Sequence, residues 1–261
     1  MTTPNGPAAR SQPAVSRPPR SIPGSAPRLP SAVLWDLDGT LVDTEPYWIE
    51  SETELVEDFG GGQWSLADAH ALVGNDLRVS AAALRERGGV DLTIEEIIDR
   101  LVAEVARKVR SFMPWRPGAH ELLLGLRALD VPCALVTMSY LPLVEAVVET
   151  LPPGTFAAVV TGDAVIHGKP HPEPYRTAVE LLGRQPHECL ALEDSLTGVR
   201  SAEAAGVPTI GVLNLVEIPP APGRRLVSTL AGLGPADLAR WLPRPGTDTG
   251  RAGRGEPGGE N

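Results

Sequence analysis

The sequence predicts an α/β fold, a doubly wound parallel sheet carrying a separate α-helical cap, and three observations predict it. Short apolar runs alternate with stretches of helical periodicity, as stacked βαβ units require. Those runs end in acids or hydroxyls, as in Trp35-Asp36-Leu37-Asp38 and Val136-Thr137-Met138-Ser139. Polar groups at such ends face the crevice where open α/β sheets bind ligands. Finally, a long segment of helical texture separates the first apolar run from the second.

Residues 1–30 combine many prolines with Ser, Ala and scattered Arg and show no hydrophobic periodicity, so a disordered tail is expected there. Residues 244–261, rich in Gly and Arg, are expected to behave likewise. Between the tails, 31–44 and 113–243 are expected to form the core and 45–112 the cap. The first strand is expected at 32–36, on the run Ala32-Val33-Leu34-Trp35. Within the cap, Thr93 stands before Ile94, Ile97, Ile98, Leu101 and Val105 at helical spacing, a capped amphipathic helix. Pro117-Gly118 then opens a helix at 118–129, followed by a strand at 132–137 and a helix at 141–150. Further strands are expected at 158–161, 189–193 and 208–212, with helices at 173–183 and 196–205. Gly206-Val207-Pro208 stops the last of these helices, and right-handed crossovers follow for parallel neighbours.

Asp36 and Asp38 are the strongest chemical signal in the chain. Residues two apart share a face of a strand, and the Gly39-Thr40 turn that follows lets both carboxylates face one pocket. Two such charges resist joint ionisation unless a cation lies between them or one keeps a proton. Elsewhere, Leu135-Val136-Thr137-Met138-Ser139 ends one run with hydroxyls, Gly168-Lys169-Pro170-His171-Pro172-Glu173 supplies a lysine, and Leu192-Glu193-Asp194-Ser195 ends another run with acids. Of 23 basic residues only Lys108 and Lys169 are lysines, so the choice of an ammonium at 169 is informative. A compact ammonium can touch a carboxylate and a phosphoryl oxygen together, whereas guanidinium is a wide planar fork.

The string Asp36-x-Asp38-Gly39-Thr40-Leu41-Val42-Asp43-Thr44-Glu45 and the three motifs after it, in this order, resemble the haloacid dehalogenase superfamily over residues 31–215. The resemblance implies a Rossmann-like core with sheet order 5-4-1-2-3 and a helical cap between the first and second motifs. It further implies a phosphatase that forms a phosphoaspartate, in which Asp36 attacks phosphorus and Asp38 protonates the leaving alkoxide and then activates water. Lys169 and Thr137 act on the phosphoryl group; Gly39, Met138 and Ser139 line the phosphate site, Ser139 by its hydroxyl or its backbone N–H. The carboxylates and a dianionic phosphate need positive charge, which Mg²⁺ supplies as a hard, oxygen-seeking cation. By the resemblance its ligands are the Asp36 side chain, the Asp38 main-chain carbonyl and Asp194, with Glu193 either a direct ligand or holding a water. Met138 and Glu173 depart from the residues more usual in the family and alter the pocket wall.

The remaining composition sets boundaries. A formal charge of -10 argues against nonspecific nucleic-acid binding. No signal-peptide core or bilayer-length apolar run is evident, so a cytoplasmic protein without membrane contact is expected, acting on a small phosphorylated metabolite as a monomer or weak homodimer. Cys133 and Cys189 sit inside strand-like runs and read as reduced core residues. His167 and His171 flank Lys169 and read as loop histidines. The alternative enzyme is a phosphomutase of the β-phosphoglucomutase type, which carries a cap lysine; here Val73 stands at that place, with Arg78 the only substitute nearby. Dehalogenation fits less well, because halide needs no proton from Asp38. A catalytically silent binding protein on the same scaffold would have little reason to keep Asp36, Asp38, Lys169 and Asp194 together.

Overall fold

A computed structural model describes residues 28–72, 76–221 and 224–242. Apart from 28–30, the tails expected at 1–30 and 244–261 lie outside the described residues, as does Val73. The core strands are β1 (Ala32–Trp35), β2 (Cys133–Val136), β3 (Ala158–Val160), β4 (Cys189–Glu193), β5 (Thr209–Val212) and β6 (Arg225–Val227). They form one sheet in the order β3-β2-β1-β4-β5-β6 with every neighbouring pair parallel. This is the order implied by the resemblance with one strand more. The additional strand, Arg225-Leu226-Val227, is short, sits on an edge and begins with an exposed charge, so no apolar run announced it.

A buried parallel strand needs apolar side chains on both faces, and alternation assigns them. Val33 and Trp35 of β1, Leu135 of β2, and Leu190 and Leu192 of β4 enter the cluster on one face. Ala32 and Leu34, Ala134 and Val136, and Cys189 and Ala191 enter the other. The second face is built from smaller side chains. There α7 (Glu173–Leu181) and α8 (Leu196–Ala204) cover the sheet, through Tyr175, Ala178, Val179 and Ala202. Helices α5 (Ala119–Ala128) and α6 (Leu141–Val148) cover the first face through Leu122, Leu123, Leu126, Leu143 and Val147. Cys133 and Cys189 are buried free thiols. A short α9 (Pro235–Leu238), not foreseen from sequence, packs Leu238 into the first face.

Between β1 and β2 lie α1 (Glu45–Phe59), α2 (Leu66–His70), α3 (Leu77–Glu86) and α4 (Ile94–Ser111). Thr93 and Glu96 form a capping box that starts α4: the Thr93 hydroxyl accepts from the Glu96 N–H, and the Glu96 carboxylate accepts from the Thr93 N–H. Ile97, Ile98, Leu101 and Val105 supply its buried stripe. The α4 helix packs on α1, α3 and the core helix α6, so the insertion and the first face of the sheet share one apolar cluster. Among the described residues no helix is long and apolar enough to cross a membrane.

Candidate active site

Because β1, β2, β4 and β5 run parallel, their carboxyl ends open on the same side, and the polar residues that close each run converge there. Asp36 follows β1 directly, its N–H bonded to the Leu192 carbonyl at 3.0 Å. The chain then turns through Gly39 at φ +84°. A Cβ at this position would lie 1.9 Å from Oδ2 of Asp194, so the turn needs glycine for its dihedral and for the close approach.

Asp38 is held by donors from both halves of the molecule. From the core, Ser139 Oγ donates to Asp38 Oδ2 at 2.6 Å and Thr137 Oγ1 to the same oxygen at 3.4 Å; Thr137 also accepts from the Ser139 N–H at 2.9 Å. At the junction with the insertion Thr44 Oγ1, and from the insertion itself Trp48 Nε1, donate to Oδ1, the latter at 3.4 Å. Thr44 stands at the N-cap of α1 yet makes no side-chain capping bond, because its hydroxyl is turned to Asp38. The sequence reading missed both residues. Their signal was available in part: a Thr before a helix and a Trp four positions on lie on one helix face.

Lys169 stands at the centre. Its Nζ donates to Asp36 Oδ1 at 2.7 Å, to the Val136 carbonyl at 2.9 Å and to Glu193 Oε1, and it lies 5.3 Å from the centre of the Tyr175 ring. Glu193, fully buried, also accepts from the Tyr175 hydroxyl at 2.8 Å and from Ser195 Oγ at 3.2 Å. Both its oxygens are therefore engaged by protein donors. Gly198 lies so close that a Cβ there would fall 1.9 Å from Glu193 Oε1. The loop before α7 is fastened by Glu173, whose carboxylate accepts from the N–H groups of Ile166 and His167 and meets the His167 ring at 2.9 Å. Met138 Sδ accepts from the Lys169 N–H at 3.2 Å. The His167 and His171 rings meet at a tilt, with centroids 4.6 Å apart, and do not line the cavity. Asp194 is held by Asn214, whose amide reaches Asp194 Oδ2 at 3.1 Å and the Gly39 carbonyl at 3.3 Å. Tyr175 and Asn214 were not singled out from sequence, although Asn214 follows the β5 run as the acids follow β1 and β4.

Two carboxylates, Asp36 and Glu193, thus share one ammonium, and a third, Asp194, lies close enough to feel its charge. Burial raises the proton affinity of Asp36 well above the usual carboxylate range, with Glu193 adding to it and Lys169 opposing; burial and Glu193 push Asp194 upward too. Lys169 is held above the usual lysine range: burial alone would lower it, but Asp36 and Glu193 outweigh that effect. Carboxylate oxygens of Asp36, Glu193 and Asp194 lie within 4.8 Å of one another. Asp36 Oδ2 is sealed from solvent with no hydrogen-bond partner among the described residues. An orphaned carboxylate oxygen beside excess negative charge, in an all-oxygen donor set, fits a hard divalent cation.

The cavity above these groups encloses about 160 Å³. Asp36, Asp38, Gly39, Thr137, Met138, Ser139, Lys169 and Asp194 line its floor, while Glu45, Trp48 and Glu52 of α1 and Asp76, Leu77 and Ser80 around the start of α3 line its far wall. Burial pushes Glu52 up to about 8 and Glu45 to about 7, each raised further by a neighbouring carboxylate. Between 4.5 and about 8 the folded chain keeps a proton on Glu52 that the unfolded chain releases, so this group makes stability fall as pH rises through that window. Glu52→Gln should therefore raise Tm, by roughly 3 °C or more at the upper end of the window and by nothing at its lower end. Thermal melts of both proteins across that pH range check this, and a difference independent of pH would contradict it.

Residues 33–212 match the family model described as haloacid dehalogenase-like hydrolase. The chain is 32% identical over 184 residues to the phosphorylated carbohydrates phosphatase of Thermotoga maritima, covering 69% of this chain and 83% of that one. It is 30% identical over 200 residues, 75% of its length, to the bifunctional riboflavin kinase/FMN phosphatase of Arabidopsis thaliana, and spans 52%, about half, of that relative. In structure it is similar to CbbY from Rhodobacter sphaeroides in complex with phosphate, with a TM-score of 0.71, 27% identity, and coverage of 80% of this chain and 100% of that one.

Proposed function

The chain belongs to the haloacid dehalogenase-like hydrolases, and from that premise we propose a Mg²⁺-dependent phosphatase that hydrolyses a small phosphate monoester, a phosphorylated sugar or polyol, through a phosphoaspartate on Asp36. The observation that carries this reading is the juxtaposition of Asp36, paired on one oxygen with Lys169 and unpartnered on the other, with Asp38, held by four donors in the floor of the same cavity. The phosphatase relatives and the phosphate complex of the structural neighbour support it.

In this mechanism the Asp36 carboxylate attacks phosphorus, a P–O bond to Asp36 forms, and the ester P–O bond breaks with its electron pair leaving on the alkoxide oxygen. Asp38 gives that oxygen its proton, then takes one from water as the water attacks the phosphoaspartate and restores Asp36. The hydroxyls of Thr137, Ser139 and Thr44 keep Asp38 aimed at that oxygen. Lys169 offsets the charge gathered on the phosphoryl oxygens, and Glu193, engaged by Tyr175 and Ser195, positions the ammonium rather than standing open as a ligand. Asp36, Asp194 and the Asp38 carbonyl would hold Mg²⁺, which supplies charge neutralisation for the phosphoryl group when bound. The insertion 45–112 acts as a cap that excludes bulk water. A mutase is disfavoured because Arg78 pairs with Glu95 at 2.9 Å and does not line the cavity.

Steady-state hydrolysis of aryl and alkyl phosphates tests the reading. Activity is expected with Mg²⁺ and is expected to vanish with EDTA. Asp38→Asn should lose roughly a hundredfold or more on an alkyl phosphate and much less on an aryl phosphate, whose leaving group needs no proton. Equal losses on both would remove Asp38 from the proton-transfer role.

A further inference from the structure

The far wall of the cavity is chemically unlike its floor. It combines Glu45, Glu52, Asp76 and Ser80 with the apolar surfaces of Trp48 and Leu72. Among the described residues that line the cavity the only cation is Lys169, and its ammonium is already shared by Asp36, Glu193 and a carbonyl. The neighbouring stretch Val73-Gly74-Asn75 adds no charge. Glu52 is 5% exposed, and its Oε2 has no hydrogen-bond partner among the described residues. A buried carboxyl oxygen left unsatisfied costs free energy unless something meets it. No donor among the described residues meets this atom, and Glu52 lines the cavity, so a ligand seated there can supply the partner as the side chain adjusts to it.

From this arrangement we infer that Glu45 and Glu52 form a leaving-group subsite that accepts hydrogen bonds from the hydroxyls of an uncharged polyol or sugar and rejects leaving groups bearing a second anion. The inference rests on the phosphatase reading and narrows its substrate class. A hydroxyl serves either protonation state of a carboxyl group, donating to the anion and both donating to and accepting from the acid. A second phosphate or a carboxylate finds no cation on this wall, so it would give up hydration without gaining a counter-charge, whichever protonation state the acids hold. The apolar flank of Trp48 and Leu72 suits the C–H face of a sugar, and α1 ties the subsite to the chemistry. Glu45, Trp48 and Glu52 recur at helical spacing, and Trp48 also donates to Asp38, so leaving-group recognition and the acid share one helix face.

The test compares kcat/KM for fructose 6-phosphate, glucitol 6-phosphate, fructose 1,6-bisphosphate, phosphoglycolate and p-nitrophenyl phosphate in the wild-type protein with Mg²⁺. The two neutral-tailed hexose compounds should exceed the bisphosphate and phosphoglycolate by roughly tenfold or more. In Glu52→Gln the ratio of fructose 6-phosphate to p-nitrophenyl phosphate should fall roughly tenfold, and the ratio of bisphosphate to monophosphate should rise. Glu45→Gln, at a half-buried position, should move both ratios in the same directions and serves if the first variant fails to fold. A wild-type preference for the bisphosphate or phosphoglycolate, or ratios unmoved in both variants, overturns the subsite while aryl-phosphate turnover leaves the phosphatase reading standing. Absence of aryl-phosphate turnover overturns the phosphatase reading itself.

Discussion

Asp36→Asn protein is expected to fold normally and to lose turnover by roughly ten-thousand-fold or more on every phosphate ester. The amide keeps the shape of the carboxylate but is no nucleophile, and it removes one oxygen anion from the donor set proposed for Mg²⁺. Stability should not suffer. Asp36 is a buried acid whose proton affinity is raised by burial and by Glu193, so a neutral isostere relieves a cost while Lys169 keeps Glu193 and the Val136 carbonyl as partners. Unchanged circular dichroism and an equal or higher Tm, together with absent phosphate release, are the expected results. Pure protein, checked by mass for deamidation, that retains near-wild-type turnover would refute Asp36 as the nucleophile.

Lys169→Met should be equally inactive and, unlike the first variant, markedly less stable, by about 3–5 kcal/mol. The Lys169 side chain is 5% exposed and satisfies two acids and a carbonyl. Removing it leaves Asp36 and Glu193 facing each other without a counter-charge, in a place where neither is hydrated. Urea unfolding of the single variants and of Asp36→Asn/Lys169→Met measures the coupling. The double variant should recover part of the loss, because one of the two stranded acids is gone. A single Lys169→Met variant within about 1 kcal/mol of wild type would show that the central ion pair does not hold the site together. Lys169→Arg should also fail, since a planar fork cannot occupy the point at which three acceptors converge.

Most of the core was legible because strand and helix signals are local. The runs at Ala32–Trp35, Cys133–Val136, Cys189–Glu193 and Thr209–Val212 are apolar on both faces, and each is bounded by its own punctuation. Thr93 and the stripe from Ile94 to Val105 likewise announced α4 on their own. The edge strand β6 and the four-residue α9 escaped because elements that short are ordered by their neighbours and not by a pattern of their own.

By itself, then, the sequence determined the α/β class, the helical insertion, and the order in which Asp36, Asp38, Thr137, Ser139, Lys169, Glu193 and Asp194 follow the strand ends. Tertiary structure alone decided what each of them touches. Sequence left Glu193 open between binding metal and holding a water, but the packing of α7 against the sheet brings Tyr175 beneath it and turns both its oxygens to protein donors. Thr44 stands at the N-cap of α1 but is a partner of Asp38, and Glu45 and Glu52, which sequence did not single out for the site, form the wall of the cavity. The physical reason is range. Periodicity and capping are set by residues within a few positions, whereas the bonds of Lys169 to Asp36 and of Ser139 to Asp38 join groups 133 and 101 residues apart, and only sheet register and the seating of α1 over the strand ends bring such groups within reach.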